Sequence, residues 1–206
     1  MSESTVLTGS ASHETAVLEE MVERDVANRF PTISHIDVSE ALRTGVVFVD
    51  VRSAQEFAVS AIPNAIHRDQ FEAWLPTKGK NTNRLLEEAS TICFYCTIGV
   101  RSAKYIQYLN SERYPKLAGK HLCNLKGSIL AWCFKSVNDS SLGLIVPSTQ
   151  SPTHAVHCYG DKWCVAPDGF ECCVFPQDDD EKEREDDRWT RECLIQPETT
   201  NLDNRT

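Results

Sequence analysis

The sequence predicts an α/β protein built on a mostly parallel sheet that helices cover on both faces. Two observations support this prediction. Short apolar runs have the length and composition of buried strands, and stretches with helical spacing separate them. The strand candidates are Val46–Val51, Thr91–Tyr95 and Leu122–Leu125. In such sheets ligands bind beyond the carboxyl ends of the strands, so the residues that follow each run are the candidates for function.

The residues before the first strand predict an N-terminal amphipathic helix. Residues 12–29 place apolar side chains at helical spacing. The polar face of this helix is acidic, so we expect it to cover the core or a sheet edge and not to bind a membrane. The apolar positions are Val17, Leu18, Met21, Val22 and Val26.

Cys96 stands where the run Thr91–Tyr95 turns into a helical pattern. It opens the loop Cys96-Thr97-Ile98-Gly99-Val100-Arg101. Backbone N–H groups at a helix N-terminus have no intrahelical partner, so they stabilise a nearby anion. Donors of this kind, together with a guanidinium, lower the pKa of a thiol from its usual value of about 8.5. The loop therefore predicts a nucleophilic thiolate at Cys96.

Gly99 and Arg101 have their own functions in this loop. Glycine tolerates positive φ and leaves room for amides to point inward. An arginine supplies a fixed cation with several donors, which suits a bound oxyanion. An isolated cysteine is more often an inert apolar residue, but the combination with glycine and arginine at a strand-to-helix junction favours a reactive one.

Three segments of the sequence resemble the signatures of rhodanese-like domains. The first runs from Val47 to Ala65 and contains a strand, Asp50-x-Arg52, a Glu56-Phe57 pair and Ile62-Pro63-x-Ala65. The second is the loop from Cys96 to Arg101, which resembles the active-site loop of that family. The third is the segment from Leu125 to Trp132, which resembles the signature before the last helix. The match covers about residues 30 to 136.

The resemblance implies a five-stranded sheet and sulfur transfer. In this family the loop cysteine takes a sulfane sulfur from a donor, holds it as a persulfide and passes it to a nucleophilic acceptor. By the match, Cys96 would carry the persulfide. The loop amides that would cradle its sulfur are those of Thr97, Ile98, Gly99, Val100 and Arg101. The implied partners are a small-molecule sulfur donor and a thiol or cyanide-like acceptor, with a protein acceptor also open.

Some positions depart from the family pattern. Many members have Gly-His where this chain has Ser60-Ala61, and Gly-Gly within Lys126-Gly127-Ser128. Thr97 and Ile98 are uncharged, whereas members that use thiosulfate often carry an extra cation there. This favours a persulfide donor. The six-residue loop is similar to that of sulfurtransferases and disfavours the phosphatases of this fold, whose loop is longer. Tyrosine phosphatases place arginine one position later, where this chain has Ser102.

The residues around the first signature have structural interpretations. Asp50 and Arg52 end a buried strand, so we expect an ion pair or hydrogen bonds to loop backbone that shape the cradle indirectly. Ser53 and Glu56 have capping-box spacing and are predicted to start a helix. Cys93 lies three residues before Cys96, which invites a redox or zinc interpretation. Residues an odd number apart face opposite sides of a strand, so Cys93 is predicted to be a core residue.

The sequence divides into five regions. We expect an N-terminal helical extension at 1–29, the rhodanese-like domain at 30–136, a Ser-, Thr-, Asn- and Pro-rich linker at 137–153, a small β appendage at 154–176 and an acidic tail at 177–206. A two- or three-stranded unit is marginal alone, so the appendage is expected to pack on the domain. The tail is expected to be disordered, because its residues 178–188 contain eight acidic and three basic side chains.

The appendage also contains possible metal ligands. They are His154, His157, Cys158, Cys164, Cys172 and Cys173. Their spacing matches no paired zinc-ligand pattern, so packing is the favoured interpretation, and we expect neither a metal nor a cofactor.

Composition limits the remaining functions. The chain has 206 residues, is 41% hydrophobic and carries a formal net charge of -9, which argues against a nucleic-acid-binding protein. No apolar run approaches the roughly 18 residues of a transmembrane helix. The N-terminus lacks the charged-then-apolar order of a signal peptide, and the nine cysteines are odd in number, so a reducing cytoplasmic location is expected.

Three functions from different classes remain open at this stage. The favoured one is a single-domain sulfurtransferase. The second is a catalytically silent binding module that keeps the fold and recruits a partner. The third is a phosphatase or arsenate reductase on the same scaffold, which the loop length disfavours.

Overall fold

The computed structural model describes residues 10–76, 82–158, 160 and 163–175. Its centre is a five-stranded sheet in which every neighbouring pair is parallel. The strands are β1 (Ser34–Ile36), β2 (Val47–Asp50), β3 (Ile66–His67), β4 (Thr91–Tyr95) and β5 (His121–Leu125), in the spatial order β1-β5-β4-β2-β3. The predicted α/β fold with a parallel five-stranded sheet is confirmed, and the three predicted strand positions agree within one residue at each end.

Helices connect the strands and flank the sheet. The helices of this part are α2 (Val38–Thr44), α3 (Ala54–Val59), α4 (Arg68–Trp74), α5 (Arg84–Glu88), α6 (Val100–Glu112) and α7 (Ser128–Val137). Helix α3 begins with the predicted capping box: the Glu56 amide donates to Ser53 Oγ at 3.3 Å, and the Ser53 amide donates to Glu56 Oε2 at 2.9 Å. These reciprocal bonds satisfy two amides that the first turn leaves without partners.

The core lies around β4, the middle strand of the sheet. Four of its five residues, Ile92 to Tyr95, have no exposed surface. An aromatic cluster of Phe71, Phe94 and Tyr105 joins this strand to α4 and α6, with ring centroids 5.2 to 6.2 Å apart. Cys93 is fully buried as well, as a core residue should be. A rigid strand therefore leads directly to the loop that begins at Cys96.

The predicted N-terminal helix is present as α1 (Ser10–Val22) and continues as a π-helical turn over Glu23–Ala27. Leu18, Met21 and Val22 are buried, and so is Val26 in the π-helical turn. The helix packs on α7, and the turn contacts α6. It therefore covers part of the core, as expected from the sequence.

The described residues after α7 add four short strands. Between residues 137 and 153, where the sequence indicates a linker, lie a 3-10 helix (Ser140–Leu142) and an antiparallel pair, β6 (Leu144–Val146) and β7 (Ser151–Thr153). The appendage holds a parallel pair, β8 (Ala155–His157) and β9 (Glu171–Cys173). Strand β8 contacts α3, so the appendage packs near the first signature.

Two further predictions concern other parts of the chain. No helix among the described residues has the length and apolar character needed to span a membrane. The acidic tail at 177–206 lies outside the described residues.

Candidate active site

The loop after β4 brings Cys96 to the carboxyl end of the central strand and to the start of α6. Gly99 caps this helix with φ +115°, a left-handed value that side-chain-bearing residues rarely adopt. A Cβ at this position would lie 3.0 Å from Asn124 Nδ2 and 3.4 Å from Val26 Cγ1. Both conformation and space therefore require glycine, as the sequence predicts.

Polar groups at the start of α6 surround the Cys96 sulfur. The Gly99 amide donates to Cys96 Sγ at 3.2 Å, and Ser102 Oγ lies 3.6 Å from the same sulfur. Burial by itself raises the pKa of Cys96, whose residue surface is only 1% exposed. The positive charge of Arg101 and the hydrogen bonds from Ser102 and Gly99 outweigh burial and hold the pKa below its ordinary value. The site favours a thiolate.

Hydrogen bonds to backbone carbonyls fix the orientation of the loop. The Ile129 amide donates to Cys96 O at 3.2 Å, and the Leu130 amide donates to Thr97 O at 3.4 Å. In a trans peptide the N–H points opposite to the C=O, so the amides of Thr97 and Ile98 point away from α7. The first turn of α7 thus anchors the loop on one side and directs these two amides to the other.

Asn124 and Ser102 tie the loop to β5. Asn124 Nδ2 donates to Gly99 O at 3.0 Å, and Ser102 Oγ donates to Asn124 Oδ1 at 2.6 Å. The same hydroxyl lies 3.6 Å from Cys96 Sγ. The Cys96 amide donates to Ser128 Oγ at 3.2 Å. Sequence reasoning names Ser102 and Ser128 only where the chain departs from family patterns, and it does not identify Asn124.

Arg101 forms a bidentate ion pair with Glu56. Arg101 Nη1 lies 2.7 Å from Glu56 Oε2, and Nη2 lies 2.7 Å from Oε1. Nη2 also donates to Thr97 Oγ1 at 3.1 Å. The sequence suggests that Arg101 meets a bound oxyanion, and that Glu56 only caps a helix. The structure shows that Glu56 also positions the guanidinium beside the loop.

His157, from the appendage, completes this cluster. Its Nδ1 lies 2.9 Å from Glu56 Oε1, and its Nε2 accepts a hydrogen bond from the Phe175 amide at 3.3 Å. Since Nε2 is an acceptor, the proton is on Nδ1, which donates to Glu56. Burial raises the pKa of Glu56, but the charge of Arg101 and the bonds from Arg101 and His157 outweigh it and hold that pKa far below its ordinary value.

Asp50 and Arg52 form the ion pair that the sequence predicts, away from the loop. Both side chains are fully buried, and Arg52 Nη2 lies 2.7 Å from Asp50 Oδ2. Arg52 Nη2 also donates to the Ser60 carbonyl at 2.6 Å, and its guanidinium carbon lies 5.8 Å from the centre of the Tyr95 ring. The pair joins the end of β2 to the turn after α3 and to the last residue of β4.

Cys93 lies in a different environment from Cys96. It is fully buried beside Cys123, and burial and this neighbour raise its pKa well above the ordinary value. A protonated thiol in the core is a poor nucleophile. This agrees with the prediction that Cys93 packs in the core.

Comparison with known proteins gives a family match. Residues 34–135 match the model of the rhodanese-like domain. No curated protein matches the chain.

Three solved structures illustrate the range of similar proteins. A rhodanese-like domain protein from Staphylococcus aureus is 29% identical, and the match covers 48% of this chain and 91% of that one, with a TM-score of 0.35. A protein of unknown function from Rhodopseudomonas palustris, a possible tyrosine phosphatase, is 21% identical, with coverage of 69% and 98% and a TM-score of 0.40. A thiosulfate sulfurtransferase from Pseudomonas aeruginosa is 16% identical, with coverage of 85% and 27% and a TM-score of 0.39.

The family match and the fold agree on the same part of the chain. The matched residues begin with β1, end within α7 and include the whole parallel sheet and the Cys96 loop. Through residues 34–135, this chain belongs to the rhodanese-like domain family.

Proposed function

We propose that this chain is a sulfurtransferase that carries a sulfane sulfur on Cys96. The observation that supports it most strongly is the environment of the Cys96 sulfur. The charge of Arg101 and the hydrogen-bonding groups of Ser102 and Gly99 at the start of α6 act on this one atom and lower its pKa. A thiolate is the form of cysteine that attacks sulfur.

The proposed reaction has two displacement steps. The Cys96 thiolate attacks the outer sulfur of the donor, forming an S–S bond. The bond between that sulfur and the rest of the donor breaks, and the donor leaves with the electron pair as sulfite or as a thiolate. An acceptor thiolate or cyanide then attacks the terminal sulfur of the persulfide. The Cys96 S–S bond breaks, and the Cys96 thiolate is restored without an external oxidant or reductant.

The loop supplies donors for the charge on the terminal sulfur. In this proposal the amides of Thr97, Ile98, Gly99, Val100 and Arg101 surround it. The anchored carbonyls of Cys96 and Thr97 support this arrangement, because they turn the amides of Thr97 and Ile98 away from α7. The donors are fixed before the sulfur arrives, so little reorganisation is needed.

The charge around the loop favours a persulfide donor over thiosulfate. Thr97 and Ile98 carry no charge. Arg101 is the cation of the loop, and Glu56 partly neutralises it. Thiosulfate is a dianion, whereas an alkyl persulfide carries a single charge at most. A loop with one partly neutralised cation suits the second donor better.

A silent binding module is the second candidate, and one observation favours it. Cys96 is only 1% exposed, so a donor reaches its sulfur only if the loop or a neighbouring side chain moves. In a binding module the same arrangement would serve stability alone. The experiment must therefore detect sulfur on Cys96 itself.

Intact-mass measurement of sulfur loading distinguishes the two candidates. Fully reduced protein is incubated separately with thiosulfate and with a small alkyl persulfide, and then with cyanide. A sulfurtransferase gains one sulfur on the peptide that contains Cys96 and loses it to cyanide as thiocyanate. Cys96→Ser should gain none, whereas Cys173→Ser, which removes a half-buried thiol elsewhere, should load normally. An unmodified parent mass with both donors would support the binding module. Hydrolysis of a phosphotyrosine analogue that requires Cys96 would instead redirect the assignment to phosphatase chemistry.

A further inference from the structure

Three cysteines of the appendage meet in space although they are separated in sequence. The Sγ atoms of Cys158, Cys164 and Cys172 all lie within 4.8 Å of one another. Cys158 and Cys172 are the closest pair, at 3.2 Å. Cys158 is buried, and the other two are half-buried. We call Cys158, Cys164 and Cys172 the three-thiol cluster.

The cluster has the dimensions of one face of a tetrahedral zinc site. With Zn–S bonds of about 2.3 Å, neighbouring sulfurs of a tetrahedral site lie about 3.8 Å apart. The closest pair would need to open by roughly half an ångström, and the other separations already lie within 4.8 Å. Thiolates are soft ligands that select Zn²⁺ and Cu⁺ over Mg²⁺ and Ca²⁺. We propose that the three-thiol cluster binds one Zn²⁺ ion.

The three ligands would come from three separate pieces of backbone. Cys158 follows β8, Cys164 lies in the segment between the two strands, and Cys172 lies in β9. A metal bound to all three sulfurs would link the residue after β8, a residue of the connecting segment and a residue of β9. Each thiol would give its proton to solvent as the metal binds, and water would fill the fourth position.

A metal would account for the stability of a very small sheet. Strands β8 and β9 have three residues each and pair over three positions. Two-stranded units of this size are marginal in water, and small natural units often depend on a metal or a disulfide. No disulfide joins the cysteines of the described residues. Zinc binding would supply the missing stability, because the binding free energy adds to that of folding.

The cluster also lies next to the residue that connects the appendage to the catalytic loop. Cys158 directly follows His157, whose ring bonds Glu56 at 2.9 Å. Glu56 holds Arg101 in turn. A metal bound at Cys158 would therefore keep His157 in place at the side of the Cys96 loop. This consequence is structural, and the metal takes no part in the proposed sulfur transfer.

Metal analysis of the full chain tests the proposal. Protein grown with zinc and purified under reducing conditions without chelator should contain one zinc per chain by elemental analysis. Co²⁺ added to metal-free protein should give the charge-transfer absorption of thiolate ligands and the intense visible bands of a tetrahedral site. Zinc absorption fine structure should show three sulfurs at about 2.3 Å, a readout that needs no variant.

Single substitutions identify the ligands. Cys164→Ser and Cys172→Ser should each lose the bound zinc, and both positions are half-buried, so the fold should tolerate them better than a change at Cys158. Cys173→Ser is the matched control, because Cys173 neighbours Cys172 in β9 but is not in the cluster. It should keep full zinc. Cys96→Ser should also keep it, which would separate metal binding from the sulfur chemistry.

Several results would overturn the proposal. These are a reduced parent that binds neither Zn²⁺ nor Co²⁺, zinc that persists in Cys164→Ser and Cys172→Ser, and a Cys158–Cys172 disulfide in protein purified under reducing conditions. A spectrum with fewer than three sulfur ligands would do the same. None of these outcomes bears on sulfur loading of Cys96, so the failure of either proposal leaves the other intact.

Discussion

Two of the domain's arginine–carboxylate pairs contain a buried carboxylate, and they differ in what surrounds them. In the Asp50–Arg52 pair both side chains are fully buried. In the Glu56–Arg101 pair the carboxylate is 4% exposed and the guanidinium is 19% exposed. The first pair is separated by two residues in sequence, and the second by 45. Both contain short, charge-assisted hydrogen bonds of 2.7 Å.

This difference in exposure distinguishes an ion pair that supports the fold from one that lies at the candidate active site. Arg52 donates to Asp50 and to the Ser60 carbonyl, and among the described residues neither side chain of this pair bonds the Cys96 sulfur. Arg101 reaches Thr97 in the loop, and its charge lowers the pKa of Cys96. An ion pair that is closed to solvent maintains the fold, whereas one at the edge of a loop can act on a reacting atom. Changes in the two pairs should therefore affect different measurements.

Removing Arg52 should have the largest effect, and on stability alone. Arg52→Ala leaves Asp50 as a buried charge without its partner, which costs about 3–5 kcal/mol of unfolding free energy. Urea denaturation measures this loss. Replacing both residues, as in Asp50→Leu with Arg52→Met, should recover much of the stability, because no buried charge remains. If Arg52→Ala were as stable as the parent, the ion pair would contribute little to the stability of the fold.

Glu56→Gln should cost less, about 2 kcal/mol at neutral pH, because glutamine keeps the capping box but loses the charge that faces Arg101. The loss should depend on pH. Folded Glu56 stays ionised because its pKa is lowered, whereas the unfolded chain takes up a proton near pH 4.5. The parent gains stability from Glu56 above about pH 5, and this gain falls as the pH drops below that value.

The pH dependence gives the check on Glu56. Denaturation curves measured between about pH 3 and 7 should show the parent and Glu56→Gln converging as the pH falls. Glu40→Gln is a control for the loss of one carboxylate, since Glu40 lies in the first turn of α2 and is not part of the Glu56–Arg101 pair. A constant difference across the pH range would contradict the lowered pKa of Glu56.

Arg101→Ala should raise the pKa of Cys96, since the charge of Arg101 is the main influence that lowers it. The thiolate fraction at neutral pH would fall, and alkylation by iodoacetamide would slow in proportion. Arg101→Lys should retain part of the rate. Arg43→Ala, which removes an exposed arginine of α2, should leave it unchanged. An unaltered rate in Arg101→Ala would mean that Arg101 only supports the loop.

His157→Ala should have the smallest effect, about 1 kcal/mol of unfolding free energy, because it removes one hydrogen bond to a carboxylate that keeps its two bonds from Arg101. The matched control is His154→Ala, which removes a ring whose centroid lies 5.4 Å from that of Phe170. Thermal unfolding measures the loss of stability in both variants. A loss as large as that of Glu56→Gln would show that the contacts of His157 with Phe175 contribute to stability as much as its bond to Glu56.

The sequence predicts those features that depend on neighbouring residues. The strand Thr91–Tyr95, the start of α6 after Gly99 and the capping box at Ser53 all follow from local composition and spacing. The Asp50–Arg52 pair is predictable for the same reason, because both residues end one buried strand. Cys93 in the core follows from strand alternation.

The missed features depend on pairs that are distant in sequence. Glu56 and Arg101 are 45 residues apart, and His157 is 101 residues from Glu56. No periodicity connects such positions. The three-thiol cluster was hidden for the same reason, since its spacing resembles no paired ligand motif and only the parallel pairing of β8 with β9 brings Cys158 near Cys172. The fold thus joins residues that their sequence spacing keeps apart.

The most direct test of this account is the pH profile of Cys96 alkylation, measured by peptide mass in the intact reduced protein. We predict that the rate reaches half its maximum below about pH 8.5, the usual pKa of a thiol. Cys173 provides an internal reference, because burial and the neighbouring Glu171 raise its pKa. A Cys96 profile with an ordinary or higher midpoint would contradict the claim that the loop amides and Arg101 hold this sulfur as a thiolate.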